Sequence, residues 1–377
     1  MTNKRELIDE LKIDPRVLQG KKEQTTKKIE YVRAYVEGWL YVMTNNPSIR
    51  TVTFIDAMCN AGLYSDGDLC TIGEVCLLFR DFAKRKPGIT FYLYVNDLDK
   101  RRVDSCVAVC DRLIYDSCKN VNVVYANLDV NDFLYEAATS NRVPGGFGAA
   151  VLLFVDPYNA RTVHLDALTC FIRSRYCEVL FNWFSSDPMR NRDSSAISDC
   201  LDGLEIPAGT NGGEAVANRL RTGKMKYVFR YPFRISTNVE LYQIIFVTPN
   251  KAGLEKLKDA LWNTFHGAAY HKNLPASLGH QQRLFAYDEL EESNAASYAD
   301  DAKVWLLEGF AGKQGVSYDE IETFLLERTM LREGQMIKQV IKPLVDSSVI
   351  SKDGKARKSN FKEDTYSFPD VPGDAIL

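Results

Sequence analysis

Acidic side chains recur directly after apolar stretches of this chain. They are Asp56, Asp97 with Asp99, Asp129 and Asp156. An apolar strand that ends at a carboxylate and then turns through small residues is how α/β folds open a nucleotide pocket, because the backbone can approach the ligand closely there. If the strands are parallel, these carboxylates lie along one edge of a sheet. Such a row of acceptors suits a ligand rich in hydroxyls, amino groups and positive charge.

S-adenosylmethionine has this profile, with its ribose diol, adenine amino group, ammonium and sulfonium. A dinucleotide fits less well, because its pyrophosphate needs a G-x-G-x-x-G turn that Asn60-Ala61-Gly62 does not supply. For each acid alone, capping of the following helix remains an alternative role. The predicted cofactor-binding residues are Asp56, Asn60, Gly62, Asp97, Asp99 and Asp129.

The elements that must position these residues alternate between apolar strands and helical patterns every 25 to 35 residues. This alternation indicates βαβ units and a parallel sheet with helices on both faces. The strands predicted at 227–235 and 239–248 are separated by three residues, so they form a hairpin and make the end of the sheet antiparallel. The chain is therefore predicted to have an α/β fold.

Changes in composition suggest the domain boundaries. We predict a polar N-terminal arm (1–25), a main domain (26–266) with an insertion or lid (185–224), a linker (267–300) and a second domain (301–377). The second domain shows three short helical patterns followed by a basic hairpin, which is the outline of a winged helix. Its predicted turn is Asp353-Gly354, and the residues expected to contact nucleic-acid phosphates are Lys352, Lys355, Arg357 and Lys358.

Composition limits the function classes. The chain of 377 residues is 45% hydrophobic and 26% charged, and its net charge of −3 argues against a protein that coats nucleic acid, while leaving room for a local basic site. The N-terminal stretch MTNKRELIDELKID lacks a signal-peptide core, and no apolar run approaches a membrane span. The nine cysteines show no paired C-x-x-C spacing. We therefore expect a cytoplasmic protein with reduced cysteines, no membrane association and no metal site.

Several motifs resemble the three-Cys-motif partner (TcmP) family, a group of Rossmann-like methyltransferases. They are FIDAMCNAG (54–62), YVNDLDK (94–100), FVDPYNAR (154–161) and EVLFNWFSSDPMRN (178–191), which contains Arg190. The chain departs from the family pattern at Asn60 and Asn159, where the family has glycine. The resemblance covers roughly residues 25–265. It implies a class I methyltransferase sheet of seven strands with the last antiparallel, a C-terminal winged helix and a partner protein of the three-Cys-motif type.

Asp156-Pro157-Tyr158 is also similar to the D-P-P-[YF] loop of amino-methyltransferases. In that loop the carboxylate and a backbone carbonyl hold an exocyclic amino group while the aromatic ring stacks on the base. An aromatic amine is a poor nucleophile, so positioning and electrostatics supply most of the effect. The resemblance makes Asp156, Pro157 and Tyr158 the predicted catalytic residues. The alternative is that Asp156 caps a helix and Tyr158 packs in the core.

Three functions follow from these observations. The favoured one is an S-adenosylmethionine-dependent methyltransferase that modifies a nucleobase amino group in DNA or RNA. The first alternative is a methyltransferase for a small molecule or a protein, with the winged helix as a partner interface. The second is a non-catalytic binding protein that keeps the fold.

Overall fold

A computed structural model of the chain describes residues 6–114, 118–186, 195–236, 239–268, 270–271, 280–353 and 361–370. The chain divides into two compact units. The first comprises Met1–Lys256 and Ala269–Leu274, and the second comprises Leu257–Ala268 and Pro275–Leu377.

An eight-stranded sheet forms the centre of the first unit. Its strands are β1 Thr51–Asp56, β2 Thr90–Asn96, β3 Val121–Ala126, β4 Ala149–Val155, β5 Glu178–Trp183, β6 Tyr227–Ser236, β7 Val239–Thr248 and β8 Tyr270–His271. Their order is β3-β2-β1-β4-β5-β7-β6-β8, and β7 runs antiparallel to both of its neighbours. This is the predicted α/β, Rossmann-like class I methyltransferase sheet with an antiparallel last strand, extended by β8.

Helices cover both faces of the sheet. The helices described between residues 6 and 265 are α1 Glu6–Glu10, α2 Glu23–Asn45, α3 Thr71–Arg85, α4 Lys100–Ile114, α5 Val130–Thr139, α6 Leu165–Ser174, α7 Ser195–Leu201, α8 Gly213–Leu220 and α9 Lys251–Phe265, which has residues in both units. Every residue of β4 is buried. Its alternate side chains Val151, Leu153 and Val155 share a cluster with α5 and α6, while Phe154 stacks on Phe54, which meets Phe79 of α3 on the other face.

The N-terminal segment is not the polar arm predicted from the sequence. After α1, a 3₁₀ turn at Pro15–Val17 brings Ile13 and Val17 into a buried cluster with Ala61, Leu63 and Val109. The prediction was wrong because these apolar residues belong to elements too short to show a helical period. The segment therefore packs on the turn that follows β1.

The predicted insertion or lid at 185–224 also differs from the structure where it is described. Helices α7 and α8 both lie in this segment. Ile197 of α7 and Val216 and Leu220 of α8 are buried in the same hydrophobic cluster as α6. These two helices are therefore part of the core rather than a lid.

A long helix occupies part of the segment that was predicted to be a linker (267–300). Helix α10, His280–Gly309, occupies the later part of that segment. Ala295, Ala299, Ala302 and Leu306 of this helix are buried, at the spacing of one helical face. The sequence predicted only the end of this helix, as the first helical pattern of the domain at 301–377, because alanine contributes little to an apolar pattern.

The rest of the second unit combines short helices with three short strands. It contains β9 Val316–Ser317, α11 Tyr318–Arg328, β10 Ser351–Asp353, β11 Thr365–Ser367 and a helix α12 formed by Glu333–Gln335, a π-helical turn Met336–Ile341 and Lys342–Asp346. A capping box begins α11, since Ser317 and Glu320 each accept from the other's backbone N–H.

The two strands of the basic hairpin do not meet at a tight Asp353-Gly354 turn. Asp353 pairs with Thr365 and Lys352 with Tyr366, whereas a two-residue turn would place Lys352 opposite residue 355. Tyr366 is completely buried, and this burial fixes the register of β11. Across the described ranges, no helix has the length and hydropathy needed to cross a membrane.

Candidate functional site

The row of polar side chains predicted at the carboxyl edge of the sheet is present. The strand order β3-β2-β1-β4-β5 places Asp129, Asp97, Asp56, Asp156 and Asn182 in succession along this edge, each within three residues of the end of its strand. Parallel strands bring their carboxyl ends together, so residues far apart in sequence become neighbours.

The turn after β1 depends on two left-handed residues. Asn60 has φ 56° and Gly62 has φ 84°. Asn60 Oδ1 accepts from the backbone N–H of Ala61 at 2.8 Å, and the backbone N–H of Asn60 donates to Asp97 Oδ2 at 3.3 Å. A Cβ atom on Gly62 would lie 3.1 Å from the Cα atom of Cys106. Asparagine tolerates this conformation, so the turn keeps its form although glycine is absent at position 60.

The acids after β2 and β3 differ in how freely they could bind a ligand. Asp97 is buried and its Oδ1 accepts from the N–H of Asp99 at 2.9 Å. Asp99 pairs with Arg101, whose hydrogen bond lowers the pKa of the Asp99 carboxyl to about 2. Asp129 Oδ1 accepts from the N–H of Asn131 and so caps α5. Capping, the alternative role considered for each acid, is therefore present at Asp129.

A cavity of about 420 Å³ lies beside these acids. Asp97, Asp99, Asp129 and Tyr158 are among its lining residues. Arg102 of α4 spans part of it: its guanidinium donates to the Tyr158 hydroxyl at 2.7 Å and lies 3.9 Å from Asp97 Oδ2. Burial raises the pKa of the Tyr158 hydroxyl to about 12, so it stays protonated at neutral pH.

A second cavity, of about 580 Å³, adjoins the first, because Met58 and Tyr158 line both. It contains the polar groups of Asp56, Asn60, Asp156 and Asn182, and its aromatic lining is Tyr64, Phe154, Tyr158, Phe184 and Tyr242. The cavity thus combines a few polar groups with flat aromatic walls, which is the usual composition of a small-molecule site.

Asp56 is the most deeply buried acid of the row, at 2% exposure. Burial raises the pKa of its carboxyl to about 8, and the nearby carboxylates of Asp156 and Asp97 act in the same direction. The N–H of Met58 donates to it at 3.2 Å and opposes the shift. Asp56 is therefore neutral at pH 7 and would ionise beside a bound cation.

Asp156 is held by two side chains that the sequence did not connect with it. Lys28 of α2, which is buried, donates to Oδ2, and Asn182 Nδ2 donates to Oδ1 at 2.7 Å. The following helix, α6, has His164 rather than Asp156 at its N-cap, and Tyr158 is half exposed. Neither the capping nor the core-packing alternative therefore applies to these two residues.

The N-terminal segment forms one wall of the larger cavity. Gln19 and Gly20 are among its lining residues, and the backbone carbonyl of Gln19 accepts from the N–H of Ser65 at 2.9 Å. Lys21 pairs with Asp68 in the loop after β1. Sequence reasoning missed this wall because it treated the segment as a loose arm.

The predicted nucleic-acid-binding residues lie in the second unit. Lys352 pairs with Asp364 at 2.9 Å, and its side chain is 18% exposed, so its ammonium is engaged within the unit. Lys355, Arg357 and Lys358 lie outside the described residues. Arg190 of the EVLFNWFSSDPMRN motif (178–191) also lies outside them. Phosphate contact by these residues stays a prediction.

Comparison with known proteins gives matches to solved structures. No protein-family model matches the chain, and no curated protein matches it by sequence. Trm1 from Pyrococcus horikoshii, solved with S-adenosyl-L-methionine, is 13% identical over 64% of this chain and 62% of its own, with a TM-score of 0.35. An O-methyltransferase from Bacillus cereus, solved with S-adenosylhomocysteine, is 10% identical over 66% and 91%, with a TM-score of 0.35.

A third similar structure is the type I restriction-modification methyltransferase subunit from Streptococcus thermophilus, 11% identical over 58% of this chain and 43% of its own, with a TM-score of 0.33. At TM-scores this low the matches carry no argument about function, which rests on the geometry of the site.

Proposed function

We propose that this protein is an S-adenosylmethionine-dependent methyltransferase that modifies an exocyclic amino group of a nucleobase in DNA or RNA. The observation that carries the proposal is the pair of adjoining cavities at the carboxyl edge of the sheet, which share Met58 and Tyr158. One cavity is lined by acids and the other by aromatic rings around Asp156. A transferase needs two such compartments, because the donor and the acceptor must meet at one point.

The residues present fit S-adenosylmethionine. Asp97, whose carboxylate is already ordered by two backbone N–H groups, would hold the ribose hydroxyls. Asp56 would hold the ammonium. Its carboxyl has a raised pKa, and a cation beside it would favour the ionised form. Gly62 keeps the turn free of a side chain. When bound, the cofactor supplies an electrophilic methyl group, and its sulfonium leaves as a neutral thioether.

The side chains around Asp156 fit an aromatic amine as the acceptor. Asp156 accepts hydrogen bonds from Lys28 and Asn182 and retains lone pairs for an amino N–H. A hydrogen bond to that N–H orients the nitrogen lone pair, and after N–C bond formation the carboxylate takes the surplus proton and passes it to water. Tyr158, which is half exposed, offers a ring on which a flat base can stack, as aromatic side chains do in nucleic-acid sites.

The second unit supports the nucleic-acid part of the proposal. We propose that it is a winged helix, and its three-stranded antiparallel sheet of order β10-β11-β9 supports this proposal. We propose that this unit contributes phosphate contacts. TcmP membership, a three-Cys-motif partner protein and a cytoplasmic location belong to the same proposal and rest on the sequence motifs and composition alone.

Calorimetry with S-adenosylmethionine and S-adenosylhomocysteine tests the cofactor. Both should bind, and Asp97→Asn should weaken binding by ~1–3 kcal/mol through the loss of charge-assisted hydrogen bonds. Asp104→Asn is the matched control, because Asp104 lies on the exposed side of α4 and pairs with Lys100. Wild-type protein that binds neither compound would contradict the enzyme and leave the non-catalytic alternative.

Transfer of labelled methyl groups to unmodified RNA and DNA tests the substrate. Nucleoside mass spectrometry should find the label on an exocyclic nitrogen. Cofactor binding with no label in either nucleic acid would instead favour a small-molecule or protein substrate.

A further inference from the structure

The side-chain amide oxygen of Asn182, Oδ1, is a buried acceptor without a hydrogen-bond partner among the described residues. Asn182 lies on β5 next to the end of β4, is 2% exposed and lines the 580 Å³ cavity. Its Nδ2 donates to Asp156 Oδ1 at 2.7 Å, but its Oδ1 has no hydrogen-bond partner among the described residues. A buried amide oxygen normally has a partner, because burial removes the water that would otherwise donate to it.

Another buried asparagine at the same edge shows the usual arrangement. Asn96, at the end of β2, donates from Nδ2 to the carbonyls of Ala57 and Leu128, both at 3.1 Å, and accepts from the N–H of Leu128 at 3.1 Å. Its amide is fully used in joining three loops. In the amide of Asn182 only the NH₂ group forms a hydrogen bond, whereas Oδ1 forms none. Asn182 lines the 580 Å³ cavity.

The orientation of the Asn182 amide follows from its neighbour. A carboxylate can only accept, so the NH₂ group must face Asp156, and Oδ1 is the atom left over. Lys28 holds the other carboxylate oxygen of Asp156. Asp156 and Asn182 therefore each keep an acceptor that needs a hydrogen, and a single hydroxyl group, with its one hydrogen, cannot satisfy both.

We infer that Asn182 is a substrate-binding residue whose Oδ1 accepts one N–H of a primary amino group while Asp156 accepts the other. The inference rests on the proposed function and narrows it to primary exocyclic amines. During transfer the nitrogen lone pair forms the N–C bond as the S–C bond breaks, with its electrons remaining on sulfur. The proton on the Asp156 side leaves to the carboxylate, and the N–H on the Asn182 side stays in the product.

A monomethylated product has one N–H, so it leaves one of the two acceptors unpaired. A site built to bind two N–H groups disfavours such a ligand, because a buried polar group is left without a partner. The enzyme should therefore stop after one methyl group and should not methylate hydroxyls or ring nitrogens.

The test compares wild type with Asn182→Leu on an unmodified RNA transcript and on DNA, using S-adenosylmethionine and nucleoside mass spectrometry. Wild type should give monomethylated exocyclic amines alone. Asn182→Leu should lower kcat/KM by at least ~100-fold, raise the ratio of second to first methylation by at least ~10-fold, and keep its affinity for S-adenosylhomocysteine within about 3-fold. Asn122→Leu, on an exposed position of β3, is the control and should change neither activity nor product ratio.

Asn182→Asp provides a second variant if the leucine variant fails to fold. An aspartic acid matches the amide only when protonated, with one O–H donor and one carbonyl acceptor, and its charged form repels Asp156. Its activity relative to wild type should therefore rise as the pH falls. If the activity of Asn182→Asp relative to wild type does not change with pH, the inference is overturned.

The outcomes separate this inference from the function on which it rests. Exocyclic methylation with an unchanged product ratio in Asn182→Leu would overturn the role of Asn182 alone. Label on an oxygen or a ring atom would overturn the selection of primary amines and leave a methyltransferase. Cofactor binding without transfer to either nucleic acid would remove the proposed substrate and this inference together.

Discussion

Lys28 donates to the carboxylate of Asp156 and so joins helix α2 to the end of β4 across 128 residues of sequence. Both side chains are largely buried, at 11% and 23% exposure, so their charges are screened less by water than those of a surface pair. Because Asn182 holds the other carboxylate oxygen, the orientation of Asp156 is set before any substrate arrives.

Lys28→Met should therefore lower the free energy of unfolding by ~1–3 kcal/mol, because it leaves a largely buried carboxylate without its cation. Combined with Asp156→Asn, a double-mutant cycle by urea unfolding should give a coupling energy of similar size. The control is Lys27→Met, since Lys27 forms an exposed pair with Glu30 on the same helix and should cost no more than about 0.5 kcal/mol. Additive effects of the first two substitutions would mean that the pair adds no stability.

The raised pKa of Asp56 gives stability a defined pH dependence. The folded protein keeps the Asp56 proton up to about pH 8, whereas the ordinary value is 3.8, so between these values the folded state binds more protons than the unfolded one. This group alone makes the unfolding free energy fall as the pH rises through that window.

Asp56→Asn replaces the protonated acid by a neutral amide of the same shape. The advantage of the variant over wild type should grow by up to about 1.4 kcal/mol for each pH unit between pH 5 and 8, measured by urea unfolding. Asp104→Asn should follow the wild-type profile. Parallel profiles for wild type and Asp56→Asn would show that the carboxyl is already ionised in the folded protein.

Gly62→Ala should destabilise the turn after β1. The residue has φ +84°, and an added Cβ would meet the Cα atom of Cys106 and the side chain of Val109 at 3.1 Å. We expect a loss of ~1–3 kcal/mol in the free energy of unfolding and weaker binding of S-adenosylhomocysteine. At Gly88 a Cβ would meet nothing within 4 Å, so Gly88→Ala should change stability by no more than about 0.5 kcal/mol. Equal losses of unfolding free energy at both positions would show that a side chain at position 62 does not strain the turn after β1.

The sequence predicted the sheet well because its signals are local. The bounds of β7 (Val239–Thr248) agree with the prediction of 239–248, since this strand has clear breaks at both ends. The acids of the carboxyl edge were predicted for the same reason, because each directly follows an apolar run.

What the sequence did not predict depends on contacts between distant segments. No pattern near residue 28 indicates a partner at residue 156. The unpaired oxygen of Asn182 likewise depends on which side chains surround it. The register of β10 with β11 was mispredicted because burial of Tyr366, rather than the Asp353-Gly354 signal, determines it.

The position of β7 between β5 and β6 has a consequence for folding on the ribosome. Strand β5 pairs with β4 on one side and with β7 on the other, and β7 ends at Thr248, 65 residues after β5 ends at Trp183. During synthesis from the N-terminus, the parallel strands can assemble while β5 still exposes unpaired backbone groups. Such an edge can pair with other chains, so nascent chains paused between these strands should be the ones that most need a chaperone.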